Sequence, residues 1–240
     1  MLLMTQRPIA PWLWLTLLML LIALPRITLD LHLPALPAMA DYFHASDSQL
    51  QLTLTLYTLG SAISLLVAGP LCDRWGRRPT LLAGLCLFVV ASIACALASS
   101  VPMLIVARLF QALGGCCTTM IGRVVVRDYF EPHEQTRLLG LISMGMAVSP
   151  MAAPVIGSLL LPLLGWRGLF GLLTVIGAGL VLLVQRRLPE TRPTRDINVP
   201  HSSLLQIYGR LLRDELLSNL VYESVRRHSY LTHPAPVPRP

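Results

Sequence analysis

The chain has 240 residues, of which 54% are hydrophobic and 13% are charged, and its mean hydropathy is +0.64. Because soluble domains carry about 25% charged residues, this composition excludes an ordinary water-soluble enzyme and indicates a membrane protein. The formal charge is +7, and every basic residue is an arginine. These arginines gather at the ends of apolar runs, which is typical of topology signals and not of a nucleic-acid surface.

Six apolar runs are long enough to cross a bilayer, for which about 20 residues are needed. They lie near residues 12–36, 50–71, 80–98, 102–122, 138–161 and 168–184. Residues 50–57 alternate as a strand would, but a lone strand in lipid leaves its backbone unpaired, so we expect a helix there. The sequence therefore predicts an all-α membrane protein with a six-helix domain at 1–188. A cytoplasmic polar tail at 189–240 is expected to be partly disordered or the result of truncation.

The arginines between the runs predict the orientation. Three lie between spans two and three and three between spans four and five, whereas residues 37–49 and 99–101 contain none. The last connection contains only Arg167. Since cytoplasmic loops carry an excess of basic residues, both termini are predicted to be cytoplasmic.

No metal or cofactor is expected. The five cysteines lack metal-ligand spacing and lie in or beside apolar runs, so we interpret them as packed thiols. A solvated loop explains the acidic residues and His133 after span four better than a metal site does. A chain without lysine cannot contain the phosphate-binding loop of an ATP-driven pump.

The most specific motif joins spans two and three. It runs from Gly69 to Pro79 and reads GPLCDRWGRRP. Its glycines permit a tight turn and its charges keep the turn on one side of the membrane, so a turn that only sets topology is the plainer interpretation. The residue order, however, resembles the loop signature of the major facilitator superfamily. The residues that carry this resemblance are Gly69, Asp73, Arg74, Gly76, Arg77 and Arg78.

Other segments are similar to the Bcr/CflA multidrug efflux branch of that superfamily. They are residues 29–37, 108–114, 149–157 and 188–191, and the likeness covers residues 12–195 in order. The resemblance implies two six-helix halves, each of two inverted three-helix repeats, that work by alternating access. We expect this chain to supply the N-terminal half, from a truncated gene in preference to a half-transporter that dimerises.

Charged residues inside the first and fourth spans are candidates for proton coupling. Arg26 and Asp30 are four residues apart and can pair on one helix face; alternatively, Arg26 snorkels and Asp30 merely lies near the end of the span. Lipid favours a protonated carboxyl and a nearby cation favours an ionised one, so a cycle that alternates the two can carry protons. The resemblance places Arg108 in the central cavity with a role in proton movement, which makes it the expected partner of Asp30 in such a cycle. We therefore predict Asp30, Arg108 and Gln111 as the proton-coupling and substrate cavity, with His32 at the membrane interface.

The fifth span carries paired glycines and prolines. Prolines at 150 and 154 should kink a helix and free backbone carbonyls, although membrane helices also simply tolerate proline. The pattern of Gly145, Pro150, Pro154 and Gly157 resembles the antiporter motif of the family. Small residues at 112–116 in the fourth span predict close helix packing.

The sequence thus predicts proton-coupled efflux of small amphipathic compounds across the bacterial inner membrane. Its expected partners are the substrate, protons, lipid, and a second copy or a second half, without nucleic acid. The alternative is a non-transporting fragment or a self-associating membrane interaction protein. Enzymatic activity is not expected, because Ser158, the one tempting nucleophile for an intramembrane protease, lacks a flanking nucleophile motif.

Overall fold

In the computed structural model, every regular element of the described residues is helical. The structure describes residues 11–188, with the backbone alone at 11–15, 129 and 132. The predicted polar tail at 189–240 lies outside the described residues. The elements are α1 (Pro11–His32), a 3-10 turn (Leu33–Ala35), α2 (Leu36–Phe43), α3 (Asp47–Trp75), α4 (Arg77–Ala96), α5 (Val101–Tyr129) and α6 (Pro132–Arg187).

Five stretches of the described chain are long and apolar enough to cross a membrane. They are Thr16–Phe43, Asp47–Trp75, Arg77–Ala96, Val101–Asp128 and His133–Arg187. The first extends beyond the predicted end near residue 36, because the prolines there occupy the first positions of new helical turns, where no amide donor is needed. The predicted helix over residues 50–57 is confirmed, since this segment lies within α3.

The fifth stretch combines the predicted fifth and sixth spans. At 56 residues, α6 would measure about 84 Å if it were straight, against about 30 Å of bilayer core. Its one residue with a non-helical backbone is Gly165, at φ 65° and ψ 174°. A positive φ is readily adopted only by glycine, so this residue divides α6 into two segments. We name them α6a (residues 132–164) and α6b (residues 166–187).

Segment α6a runs parallel to its neighbour α1, whereas α6b runs antiparallel to its neighbour α4. Along α6a, Gly145 lies near Met19 of α1 and Gly157 lies against Leu31, so this segment runs parallel to α1. At the start of α6b, Arg167 donates to the carbonyl of Ala96 at the end of α4 (3.2 Å). Near the end of α6b, the Gln185 carbonyl accepts from Arg78 at the start of α4 (2.6 Å). The chain therefore reverses near Gly165.

Helix α5 contacts α1, α3 and α4 through small residues. An added Cβ at Gly114 would lie 2.5 Å from the carbonyl oxygen of Gly84, and one at Gly60 would lie 2.7 Å from that of Leu109. Side chains of ordinary size would hold these backbones apart. The predicted close packing of the fourth span is confirmed.

The turn between α3 and α4 is tighter than the sequence predicts. The motif from Gly69 to Pro79 was expected to form a short charged turn that its glycines permit, and the structure has a turn there. It is shorter than the motif, because α3 continues to Trp75 and α4 begins at Arg77. Only Gly76 separates them, with φ 99° and ψ 165°, a conformation that glycine alone adopts without strain.

The arginine-rich ends of several helices meet at one end of the bundle. Arg77 Nε lies 3.1 Å from Asp128 Oδ2 at the end of α5, and Arg77 also reaches Asp73 at 3.5 Å. At the opposite end, the guanidinium of Arg167 stacks on Tyr42 at 4.5 Å and on Trp166 at 4.6 Å from the ring centroids. The arginines predicted between spans two and three therefore lie at the end of the bundle opposite Arg167.

Candidate functional site

The carboxylate of Asp30 joins α1 to α6a inside the bundle. Arg26 Nε donates to Asp30 Oδ2 at 3.0 Å, and the hydroxyl of Ser149 donates to the same oxygen at 3.3 Å. The side chain of Asp30 is 5% exposed and that of Arg26 is 45% exposed. The expected ion pair is thus present, with its acid buried and its base at the surface of the bundle.

A second polar group surrounds Arg108 of α5, which is fully buried. Its Nη1 donates to Gln111 Oε1 at 2.8 Å, and Gln111 Nε2 donates to the hydroxyl of Ser92 on α4, also at 2.8 Å. Ser92 in turn donates to the carbonyl of Phe88 at 2.7 Å. This chain of hydrogen bonds fixes the guanidinium against α4.

Aromatic rings from two other helices cover the Arg108 guanidinium. Its central carbon lies 4.8 Å from the ring centroid of Tyr57 on α3 and 5.4 Å from that of Phe170 on α6b. Cation–π contacts of this kind gain strength away from water. Nevertheless Arg108 Nε and Nη2 have no hydrogen-bond partner among the described residues.

The two predicted charged residues do not pair with each other. Asp30 was expected to find a partner in Arg108, but within residues 11–188 its ion pair is with Arg26. Arg26 lies one helical turn before Asp30 on the same face, so it reaches the carboxylate without any movement between helices. Tyr57 contacts both α1 and Arg108. Its hydroxyl donates to the carbonyl of Pro25 at 2.8 Å, and its ring lies against the Arg108 guanidinium.

The interfacial placement of His32 was wrong. His32 is 3% exposed. Its Nε2 lies 3.4 Å from Thr53 Oγ1, and its ring centroid lies 5.7 Å from that of Phe170. The chain continues from His32, the last residue of α1, through the 3-10 turn into α2, and His32 faces α3 and α6b within the bundle. Phe170 therefore contacts both His32 and Arg108.

A threonine of α5 compensates for a proline in α1. Pro25 has no amide hydrogen, so the carbonyl of Leu21 loses its donor within the helix. The hydroxyl of Thr118 lies 2.7 Å from Leu21 O and 2.6 Å from Gly115 O of its own helix, and the hydroxyl of the adjacent Thr119 lies 2.9 Å from Ile22 O. These bonds hold α1 to α5 one turn before Arg26.

Replacing the first of these hydroxyls should destabilise the bundle. We expect Thr118→Val to lower the free energy of unfolding by about 1 kcal/mol, because Leu21 O then lies unpaired among apolar groups. Thr174→Val is the matched control, since Thr174 bonds only to Phe170 O of its own helix, where the helix already supplies an amide donor. Thermal unfolding in detergent measures both, and equal losses would contradict this role for Thr118.

The proline-containing segment α6a keeps a helical backbone through Pro150 and Pro154. Gly157 brings it against α1, since an added Cβ there would lie 2.9 Å from Leu31 O. Gly145 has more room, with Met19 at 3.7 Å. Thus the predicted antiporter-like helix lies beside Asp30, and its interruption comes at Gly165 and not at the prolines.

Some residues of the site were not predicted. Ser149 was seen only as part of a motif, yet its position before Pro150 in an apolar helix was a usable signal. Ser92 is one of few polar residues in α4, but nothing in the sequence pairs it with Gln111. Phe170 had no signal at all. Within residues 11–188 no three histidine, cysteine, aspartate or glutamate side chains are grouped to hold a metal.

Comparison with known proteins identifies membrane transporters. The family model for the Major Facilitator Superfamily matches residues 15–231. An uncharacterized MFS-type transporter of Bacillus subtilis, YdgK, is 37% identical over 192 residues, which are 78% of this chain and 48% of that protein. Multidrug resistance protein D of Escherichia coli is 34% identical over 197 residues, 82% of this chain and 49% of that protein.

Solved structures show the same fold. A bacterial homologue of the human lysosomal transporter Spinster, in an inward-facing and occupied conformation, aligns with a TM-score of 0.66 at 21% identity. The alignment covers 79% of this chain and 46% of that structure. This chain therefore spans about half the length of the relatives it matches.

Proposed function

Because the chain belongs to the Major Facilitator Superfamily, we propose that it forms the N-terminal six-helix half of a transporter that exports small amphipathic compounds in exchange for protons. The observation that carries the proposal is the buried carboxylate of Asp30, which bonds to Arg26 on its own helix and to Ser149 on α6a. An ionisable group inside a membrane protein is costly, and such groups mark ion pathways.

Protonation of Asp30 would act on two contacts at once. A neutral carboxyl attracts Arg26 far less than a carboxylate does, and it accepts a weaker hydrogen bond from Ser149. The contact between α1 and α6a would then loosen on proton binding and tighten on proton release. Helices α1 and α6a pack closely where Gly157 meets Leu31. A small change at that contact can therefore be passed along both helices.

The membrane potential supplies enough energy for this exchange. One proton moving inward across about 100 mV yields about 2.3 kcal/mol. At one proton per substrate molecule, that supports roughly a fiftyfold gradient of a neutral solute. No nucleotide is needed.

We further propose six crossings of the bacterial inner membrane, with both termini in the cytoplasm. The reversal at Gly165 supports this count, because α6a and α6b run along their neighbours in opposite directions. The arginine-rich end of the bundle, with Arg77 and Arg78, would face the cytoplasm. Tyr42 and Arg167 would lie at the outer surface.

Labelling with a membrane-impermeant maleimide tests this orientation. We expect Asp41→Cys to react in intact cells and Arg123→Cys to react only after the cells are permeabilised. Wild-type protein is the background control, because four of its cysteines are buried and Cys86 faces outward from an apolar stretch of α4. Equal labelling of both variants in intact cells would overturn the orientation.

Transport itself is tested with purified full-length chain in liposomes. An imposed pH gradient should drive a fluorescent amphipathic dye across the bilayer, and a protonophore should abolish the movement. The experiment is repeated over a range of protein-to-lipid ratios, because a working transporter requires two halves and two copies can supply them. Absence of flux at every ratio would reject transport by this chain alone.

A self-associating membrane protein without transport activity is the second candidate. Such a protein could associate through the large apolar side chains on the outside of α6a, including Met144, Val148, Met151, Val155 and Leu159. Cross-linking in the membrane that yields a stable dimer, together with no flux, would support this candidate over the first.

A further inference from the structure

We infer that Arg108 binds the carboxylate of the transported compound, so that the substrates of this protein are amphipathic organic anions. The inference rests on the proposed transport function and assigns its substrate class. It starts from the two nitrogens of Arg108 that have no hydrogen-bond partner within residues 11–188.

These two nitrogens form one edge of the guanidinium group. Nε and Nη2 point their hydrogens in the same direction, and together they match the two oxygens of a carboxylate in a bidentate pair. The remaining corner is occupied, since Nη1 donates to Gln111 Oε1 at 2.8 Å. Gln111 is itself held by Ser92. The guanidinium is therefore fixed in orientation with its carboxylate-binding edge available.

The charge around Arg108 also requires an anion. A buried cation is costly unless an opposite charge accompanies it. Asp30 is buried and acidic, but Arg26 pairs with it at 3.0 Å. No ion pair to Arg108 occurs in the part of the chain that the structure describes. A water molecule could satisfy the two N–H groups but would leave the charge unbalanced, whereas a carboxylate does both.

The surroundings of the site suit an apolar body attached to that carboxylate. Tyr57 and Phe170 lie over the guanidinium at 4.8 and 5.4 Å, so a group bound to its edge would lie near aromatic rings. His32 packs on Phe170, and its Nδ1 also lacks a hydrogen-bond partner among these residues. It is a second polar atom that can contact the ligand.

The site is closed in this conformation. Arg108 is fully buried, so a ligand reaches it only after helices of the bundle have separated. Bound ligand would then be enclosed between α3, α5 and α6b. Such enclosure matches a site that opens in turn to the two sides of the membrane.

Equilibrium binding to the purified full chain in detergent tests the inference. The probes are 1-naphthoate and its neutral analogue 1-naphthamide, measured by calorimetry at pH 7 in sodium sulfate. We expect at least tenfold tighter binding of 1-naphthoate, which corresponds to about 1.4 kcal/mol. Arg108→Lys keeps the charge but loses the bidentate edge, and it should remove this preference. Arg123→Gln is the matched control, since Arg123 is an exposed arginine of the same helix.

The wild-type comparison decides the matter even if Arg108→Lys fails to fold. Equal affinity for the acid and the amide would overturn the inference, as would an unchanged preference in folded Arg108→Lys. A different outcome is that chloride raises the melting temperature of the wild type but not of Arg108→Lys, while 1-naphthoate raises neither. That result would show a site for a small inorganic anion and reject the substrate assignment. Naphthoate binding without any flux in liposomes would instead reject the proposed transport and leave the binding site intact.

Discussion

Asp30→Asn is expected to abolish proton-driven efflux. The substitution preserves the size of the side chain, but it removes the carboxyl that we propose as the proton carrier at the α1–α6a contact. Arg26 would lose its ion pair, and Ser149 would retain an oxygen to which it can donate. Pumping against a gradient should therefore fall to the rate of empty liposomes. The measurement is pH-gradient-driven dye movement in reconstituted liposomes.

The matched control is Asp41→Asn. Asp41 is an exposed carboxylate on α2, so its loss should leave efflux close to that of the wild type. Gel filtration and thermal unfolding of both variants separate lost coupling from lost folding. Retained pumping by well-folded Asp30→Asn would remove Asp30 from the mechanism and shift attention to another proton carrier.

Gly114→Ala is expected to prevent stable folding. The added methyl group would lie 2.5 Å from both Gly84 O and Phe88 N, and backbone atoms in the middle of α4 cannot rotate away as a side chain can. Overpacking a core costs about 1–3 kcal/mol and sometimes more, and the upper end applies where both neighbours are backbone. We expect a melting temperature lower by about 10 °C or more in detergent, or no monodisperse protein.

Gly179→Ala provides the control for this effect. Gly179 lies in α6b with no atom within 4 Å of an added Cβ. Alanine favours a helix over glycine by about 1 kcal/mol, so this variant should match or exceed the wild type in stability. If both variants unfold at the wild-type temperature, α4 and α5 are not packed as closely as the structure indicates.

Much of the fold followed from hydrophobicity alone, because the bilayer demands long apolar helices and forbids unpaired backbone. The helical nature of residues 50–57 was predicted against their local alternation for this reason. Helix ends were less predictable. The first apolar run was predicted to end near residue 36, yet the prolines there occupy first-turn positions where a new helix begins. The Gly69–Pro79 motif was predicted as a short turn, yet a single glycine makes the reversal and the rest of the motif is helical.

The site was predicted in its charged members and missed in its neighbours. Arg26 and Asp30 could be paired from their spacing, since residues four apart share a helix face. Contacts between helices depend on rotation and depth, which the sequence of a single helix does not encode. Ser149 could have been singled out as a polar residue of an apolar helix, but its bond to Asp30 and the ring of Phe170 over Arg108 were therefore beyond prediction, and His32 was assigned to the wrong environment.

The proline in α1 has a consequence for how the protein is made. Until α5 has been synthesised, Leu21 O has no hydroxyl to accept from, because its donor Thr118 lies 97 residues later in the chain. In hydrocarbon an unsatisfied carbonyl is costly, so we expect the first helix to reach its final packing only when α5 arrives. The hydroxyl of Thr118 would thereby link the order of synthesis to the order of assembly.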